Sequence, residues 1–180
     1  MLISDYVEPE ELERIVCAKL KELGITKGEY PINPYDIIYN ENIYLKTETF
    51  QCTDIKGMLI NGEAMSTIVL NSNRTEDSIR FTAMHELFHF WYHPKMPHRI
   101  CCEDYFNLTK GVEWQANNAA AYALIPYELL LDKHFEFNGD IPKLCSFFKV
   151  SKLCMTNRIS NIKIPTRKIF IPKVTGISFL

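Results

Sequence analysis

Apolar residues near the start of the chain recur at helical spacing. Leu12, Ile15, Val16, Leu20 and Leu23, with Lys19 in the same stripe, mark one face of an amphipathic helix over residues 8–23. Pro9 suits its start and Gly24 its stop. The prolines of Pro31-Ile-Asn-Pro34 mark a turn, after which residues 35–40 read as a short helix. The period then falls to two. Residues 43–50 alternate apolar and polar like a half-buried strand, and the runs 55–60 and 65–70 flank Asn61-Gly62-Glu63, a hairpin signal. About three strands therefore precede the next long helix.

That helix is expected to begin near Asn73 or Thr75, since Asn73 followed by Glu76 has the form of a capping box. Ile79, Ala83, Leu87 and Phe90 form its core stripe; Pro94 stops it and pushes His93 away from helical dihedrals. A polar and aromatic loop over 95–108 follows. Residues 110–125 predict a second long helix, ended by Pro126, in which Ala116, Ala119, Ala120 and Ala121 permit close approach of a neighbour. Residues 127–135 predict a shorter helix, and 143–159 one or two more around Phe148-Lys-Val-Ser151, with Ser151 as N-cap. Residues 162–174 alternate weakly and hold Pro165 and Pro172, which suits an edge strand or a surface arm. Trp114, Phe81 and Phe90 read as core residues.

With 180 residues, 47% apolar and 23% charged, the chain has the composition of one folded domain and excludes collagen-like or low-complexity classes. No apolar run approaches the ~20 residues that span a bilayer. Residues 1–13 are acidic rather than a basic leader, so the expected location is the cytoplasm. Its six cysteines (Cys17, Cys52, Cys101, Cys102, Cys145, Cys154) form no C-x-x-C pair and are expected as free thiols. The net charge of −2 hides an asymmetry: residues 1–140 hold 12 Lys/Arg against 22 Asp/Glu, and residues 141–180 hold 8 Lys/Arg and no acid. This break divides the expected organisation into a main domain, 1–140, and a basic helical segment with an arm, 141–180, packed on the same domain.

The chemistry lies in His85-Glu86-Leu87-Phe88-His89, an H-E-x-x-H run inside the long helix. The i, i+4 spacing sets both imidazoles on one face, where they can converge on one metal ion, zinc by chemistry with manganese as an alternative. Glu86 stands beside them and suits a general base for water. A catalytic zinc takes three protein ligands. The longer run with a third histidine fails, because the chain has Tyr92 and Lys95 where it needs glycine and histidine. His98, Glu103, Asp104 and Glu113 are the remaining candidates, of which only Glu113 lies on a predicted helix able to pack rigidly on the first. Asn117 shares its face and suits a hydrogen bond that orients a ligand. Glu113 also suits a helix first turn with no metal at all.

Arg80-Phe-Thr-Ala-Met-His-Glu-Leu-Phe-His89, together with Glu113-Trp-Gln-Ala-Asn-Asn-Ala-Ala-Ala-Tyr-Ala-Leu-Ile-Pro126 and Phe148-Lys-Val-Ser151 with Arg158, resembles the ImmA/IrrE metallopeptidases over about residues 9–160. The resemblance implies an α+β, zincin-like fold: a small antiparallel or mixed sheet of about three strands packed on the H-E-x-x-H helix and a second ligand helix, followed by short helices. It implies His85, His89 and Glu113 as ligands of one zinc ion in a gluzincin-like site, with Glu86 as the catalytic carboxylate. Two positions depart from the family pattern. Phe88 stands where glycine is usual and Met84 where alanine is common, so Phe88 either narrows the approach to the metal or repacks against the Glu113 helix.

By the same resemblance the partner is a regulatory protein, typically a helix-turn-helix repressor of a mobile element or stress regulon, cleaved to release transcription. The strand at 65–70 is the expected place for an extended substrate to add by backbone pairing. Tyr92, Tyr105, His98 and Arg99 are candidate donors to the oxyanion. Two other readings compete: a DNA-binding module built on residues 144–159, half of a helix-turn-helix in the basic tail, and a repressor-binding protein with a structural or inactive metal site.

Overall fold

The computed structural model describes residues 7–52, 54–93, 98–102 and 111–162. Helix α1 spans Pro9–Glu22, and α2 spans Pro34–Asn40 with Asn33 as its cap, the Asn33 Oδ1 accepting from the Tyr35 N–H. Strands β1 (Tyr44–Glu48), β2 (Ile55–Asn61) and β3 (Ser66–Asn71) follow, then α3 (Glu76–Tyr92) and strand β4 (His98–Cys102). The chain continues through α4 (Val112–Leu124), α5 (Tyr127–Glu136), α6 (Ile141–Phe148) and α7 (Lys152–Ser160).

The sheet order is β1-β3-β2-β4. β1 runs parallel to β3, while β2 is antiparallel to both β3 and β4, so the sheet is mixed. This is the α+β arrangement expected, with three strands before the long helix. The fourth strand falls inside the stretch expected to be a loop, because its short, polar His98-Arg99 start carries no alternating signal and its pairing partner lies about 40 residues earlier. β3 does not have the free edge that strand addition requires: β1 covers one side and β2 the other. The open edges of the described sheet belong to β1 and β4.

Helix α3 is buried on every side from Arg80 to His89, not along one stripe. β2 and β3 cover one face, and α4 and α2 pack on others. Its cap is Thr75, whose Oγ1 accepts from the Ser78 N–H at 3.4 Å; Asn73 instead gives its N–H to Asn71 Oδ1. Arg80, itself buried, donates to the carbonyls of Ile32 (2.8 Å) and Lys149 (3.3 Å), tying α3 to two loops. At the other end, Trp91 donates to Glu41, which also pairs with Lys19 of α1. α7, capped by Ser151, is anchored by Arg158, which donates to Ile125 O, pairs with Glu13 and stacks on Tyr122. Leu144, Phe148, Val150 and Met155 join the same buried cluster as Leu12, Ile38 and Leu87. The expected arm at 162–174 lies outside the described residues beyond Ile162. No described helix is long and apolar enough to cross a membrane.

The sheet lies close against α3 at Gly57. A Cβ there would stand 2.7 Å from Thr82 Cγ2 and 2.9 Å from Val69 O, so β2 can lie on the helix only because this residue has no side chain. Gly57→Ala is therefore expected to destabilise the protein by about 1–3 kcal/mol. An unchanged urea midpoint would show that the contact is looser than this.

Candidate metal centre

His85 and His89 stand one turn apart on α3 with ring centroids 4.6 Å apart and Nε2 atoms 3.0 Å apart. The third group comes from α4. Gly111, at φ +90°, turns the chain into that helix and sets Glu113 in its first turn. Ala116, Ala119 and Ala120 are buried against the core, and their small side chains let α4 lie close to α3. Glu113 Oε2 thereby reaches 3.3 Å from His85 Nε2 and 3.4 Å from His89 Nε2. Two imidazole nitrogens and one carboxylate oxygen thus meet at a single point.

The outer nitrogens fix which way the inner ones point. His85 Nδ1 donates to Asn117 Oδ1 at 2.9 Å, which turns Nε2 toward Glu113. His93 Nε2 lies 3.0 Å from Gln115 Oε1, an acceptor, so His93 carries its proton there and its Nδ1 accepts from His89 Nδ1 at 2.9 Å. His89 Nε2 is thereby turned toward His85 Nε2 and Glu113, the nitrogen that gives up its proton when an ion is held. Such outer hydrogen bonds set the tautomer and raise the basicity of metal-binding histidines.

The charges lean the same way. Burial pushes the Glu113 carboxyl up, yet the hydrogen bonds and charges of His85 and His89 outweigh it and hold the group well below the usual carboxylate range. Burial likewise opposes charge on His85, but Cys101, Glu113 and Glu86 outweigh it and favour the cationic ring. The cluster therefore stabilises positive charge at the point where its donors meet. Two imidazoles and a carboxylate are also the set that catalytic zinc takes in His₂Glu sites, so these residues fit the ion.

Glu86 is fully buried next to His85, and their donor atoms and Cys101 Sγ lie within 4.8 Å of one another. Phe88, 2% exposed, turns away from the donors and packs beside Val16, Leu20, Ala119 and Ala123, with Tyr92 and His93 against its ring. It fills the α1 side of the core, the repacking alternative, and leaves the metal side to Glu86. Tyr92 sits with Phe88 on that far side. His98 and Arg99 stand in β4 opposite Ile60 and Leu59, while Tyr105, Glu103 and Asp104 lie outside the described residues. A cavity of about 240 Å³ opens beside Asn117, bordered by Phe81, Trp114, Tyr122, Asn157 and Arg158. The sequence reading missed His93, Gln115 and Cys101. His93 continues the His85, His89 spacing by another four residues, a signal overshadowed by Pro94; Gln115 and Cys101 carry none without the tertiary fold.

Residues 39–160 match the family model of the IrrE N-terminal-like domain, Peptidase_M78, and the chain belongs to this family. No curated protein matches it by sequence. Among solved structures it is similar to a Mycobacterium tuberculosis transcriptional regulator at a TM-score of 0.63 and 15% identity, over 89% of this chain and 49% of that one. That likeness concerns the fold, and the chain spans about half the length of that structure.

The hydrogen-bond relay gives a direct expectation. Gln115→Leu or His93→Ala is expected to weaken zinc binding by about 10–100-fold, read by competition with a chromogenic chelator. Wild-type affinity in both variants would remove the relay's role in orienting His89.

Proposed function

We propose that the chain is a zinc-dependent endopeptidase that cleaves a regulatory protein, a helix-turn-helix repressor, in the cytoplasm. The observation that carries this reading is the meeting of His85 Nε2, His89 Nε2 and Glu113 Oε2 within 3.4 Å of one another, with Glu86 beside them, in a chain of a peptidase family. The repressor as substrate is supported by the ImmA/IrrE resemblance and by the transcriptional regulator among similar folds.

His85, His89 and Glu113 would hold the ion, and a bound zinc supplies Lewis acidity to the scissile carbonyl and to the attacking water. The chain's own residues do the rest. Glu86, enclosed by protein and next to His85, takes the proton of the attacking water and passes it to the departing amine. Asn117 and the His93–Gln115 pair hold the imidazoles still while charge develops. Among the described residues β4, whose Cys101 lies beside His85 and Glu86, has an open edge, which suits pairing with an extended substrate backbone better than the enclosed β3.

Glu86→Gln is expected to keep its zinc, measured by elemental analysis, and to cut the repressor about 10²–10⁴-fold more slowly. Glu113→Ala is expected to lose the zinc. Undiminished cleavage by Glu86→Gln would end its assignment as the base, and zinc binding without any cleavage by the wild type would favour a repressor-binding protein.

A further inference from the structure

We propose that the cavity beside Asn117 is a substrate subsite that takes an uncharged carboxamide side chain, glutamine or asparagine, from a residue close to the bond that is cut. This rests on the peptidase reading above and adds the side chain that the enzyme selects.

The cavity continues the seam that holds the donors. Phe81, His85 and His89 stand at four-residue spacing on one face of α3, and Glu113, Asn117 and Ala121 do the same on α4. Glu113 meets His85 and His89, and Asn117 meets His85, so the seam runs down α3 as it runs up α4. One turn further on, Phe81 and Ala121 border the cavity together with Trp114, the residue after Glu113. A helical turn rises about 5.4 Å, and an extended chain advances about 3.3 Å per residue. A side chain within two residues of the scissile bond therefore covers the step from the donors to the cavity.

The third wall, with most of the polar groups, comes from α7 and its C-cap. Cys154, Asn157, Arg158 and Asn161 lie at i, i+3, i+4 and i+7, one face of the helix, and all four border the cavity. Arg158 is the one formal charge in the lining among the described residues, and it is committed elsewhere: it donates to Ile125 O, pairs with Glu13 and stacks on Tyr122. The remaining polar groups are neutral. Asn118 donates its amide to Trp114 O at 2.8 Å, which leaves its Oδ1 as an acceptor, and Ser160 donates to Asn157 O. Asn157 and Asn161 are exposed, and their carboxamides offer both donors and acceptors.

Size and chemistry together select the ligand. At about 240 Å³ the space exceeds the roughly 150 Å³ that hold a benzene-sized guest. Phe81, Trp114 and Ala121 give an apolar wall for a short aliphatic stem, and the carboxamides meet a head that both donates and accepts. A carboxylate would find no uncommitted cation there, and an ammonium no anion. An aliphatic side chain would strip the carboxamides of water and return no hydrogen bond. Asn117 belongs both to this lining and to the His85 hydrogen bond, so the subsite shares a residue with the metal centre.

The first test needs no cleavage. Nitrogen-15 spectra of the full chain are followed while N-acetylglutamine N-methylamide, or its glutamate or leucine counterpart, is added at millimolar concentration. The glutamine compound is expected to shift the Trp114 indole N–H and the side-chain amides of Asn157 and Asn161 saturably, while the Trp91 indole, bonded to Glu41, stays in place. The other two compounds are expected to bind at least about fivefold more weakly. No saturable shift in the wild type, or equal shifts with all three compounds, overturns the subsite. The second test places the ligand in the substrate. Asn157→Leu, a change at an exposed position, is expected to keep its zinc and to cut the repressor with kcat/KM about tenfold lower. A wild-type rate in this variant would assign the cavity to a free amide and overturn its part in substrate choice. A wild type that binds the glutamine compound but cuts nothing would overturn the peptidase reading and leave the carboxamide site standing.

Discussion

The contact between α3 and α4 is the constraint on which the rest depends. Two histidines on one helix define a line, not a site; a third donor must arrive from elsewhere and stop within about 3 Å. Glu113 does so because the turns of α4 that follow it are faced with alanines, buried between 0 and 2% exposure, that bring the two backbones together. A larger residue at Ala116 or Ala120 would push α4 outward and take Glu113 Oε2 from contact with both Nε2 atoms. The positive end of the α4 dipole also favours an ionised acid in its first turn. The donor cluster and the helix packing therefore depend on the same few methyl groups.

Burying α3 on all sides has an energetic cost that the fold meets with polar pairing. His85, His89, His93 and Gln115 are each less than 9% exposed, and a polar group removed from water loses about 1–3 kcal/mol if it lacks a hydrogen bond. The chain Gln115–His93–His89 and the pair Asn117–His85 meet this demand on the metal side. Arg80 and Arg158 do the same further out, each donating to a backbone carbonyl inside the core. The rigidity of the donors is a by-product of satisfying buried groups.

Much of this is legible before any coordinates. Helix and strand periods, the prolines at 9, 34, 94 and 126, and the cap at Ser151 foretell the element order, and the His85-Glu86-x-x-His89 spacing foretells a convergent pair. Glu113 follows from asking which acid sits on a rigid neighbour. What stays hidden is whatever depends on pairing between distant segments. β4 has no strong pattern of its own and exists because β2 offers it a ladder. The enclosure of β3 follows from β1 crossing to its far side, which hydrophobic alternation does not encode. Phe88 reads as an obstacle in a one-dimensional motif, but the helix turns it toward α1, where its bulk fills the core.

These different origins imply a division of labour between rigid and movable parts. His85, His89 and Glu113 cannot separate without opening the α3–α4 core and stranding several buried polar groups. β4 is held differently: among the described residues it pairs with β2 alone and its other edge is open. Lifting such a strand breaks a few ladder bonds, each contributing about 0.5–1.5 kcal/mol, and leaves the helical donors undisturbed. A substrate backbone that pairs with that edge would act on the strand whose Cys101 lies beside His85 and Glu86. The helices therefore fix the donor cluster, and the strand is the neighbour of Glu86 that moves at the smaller cost.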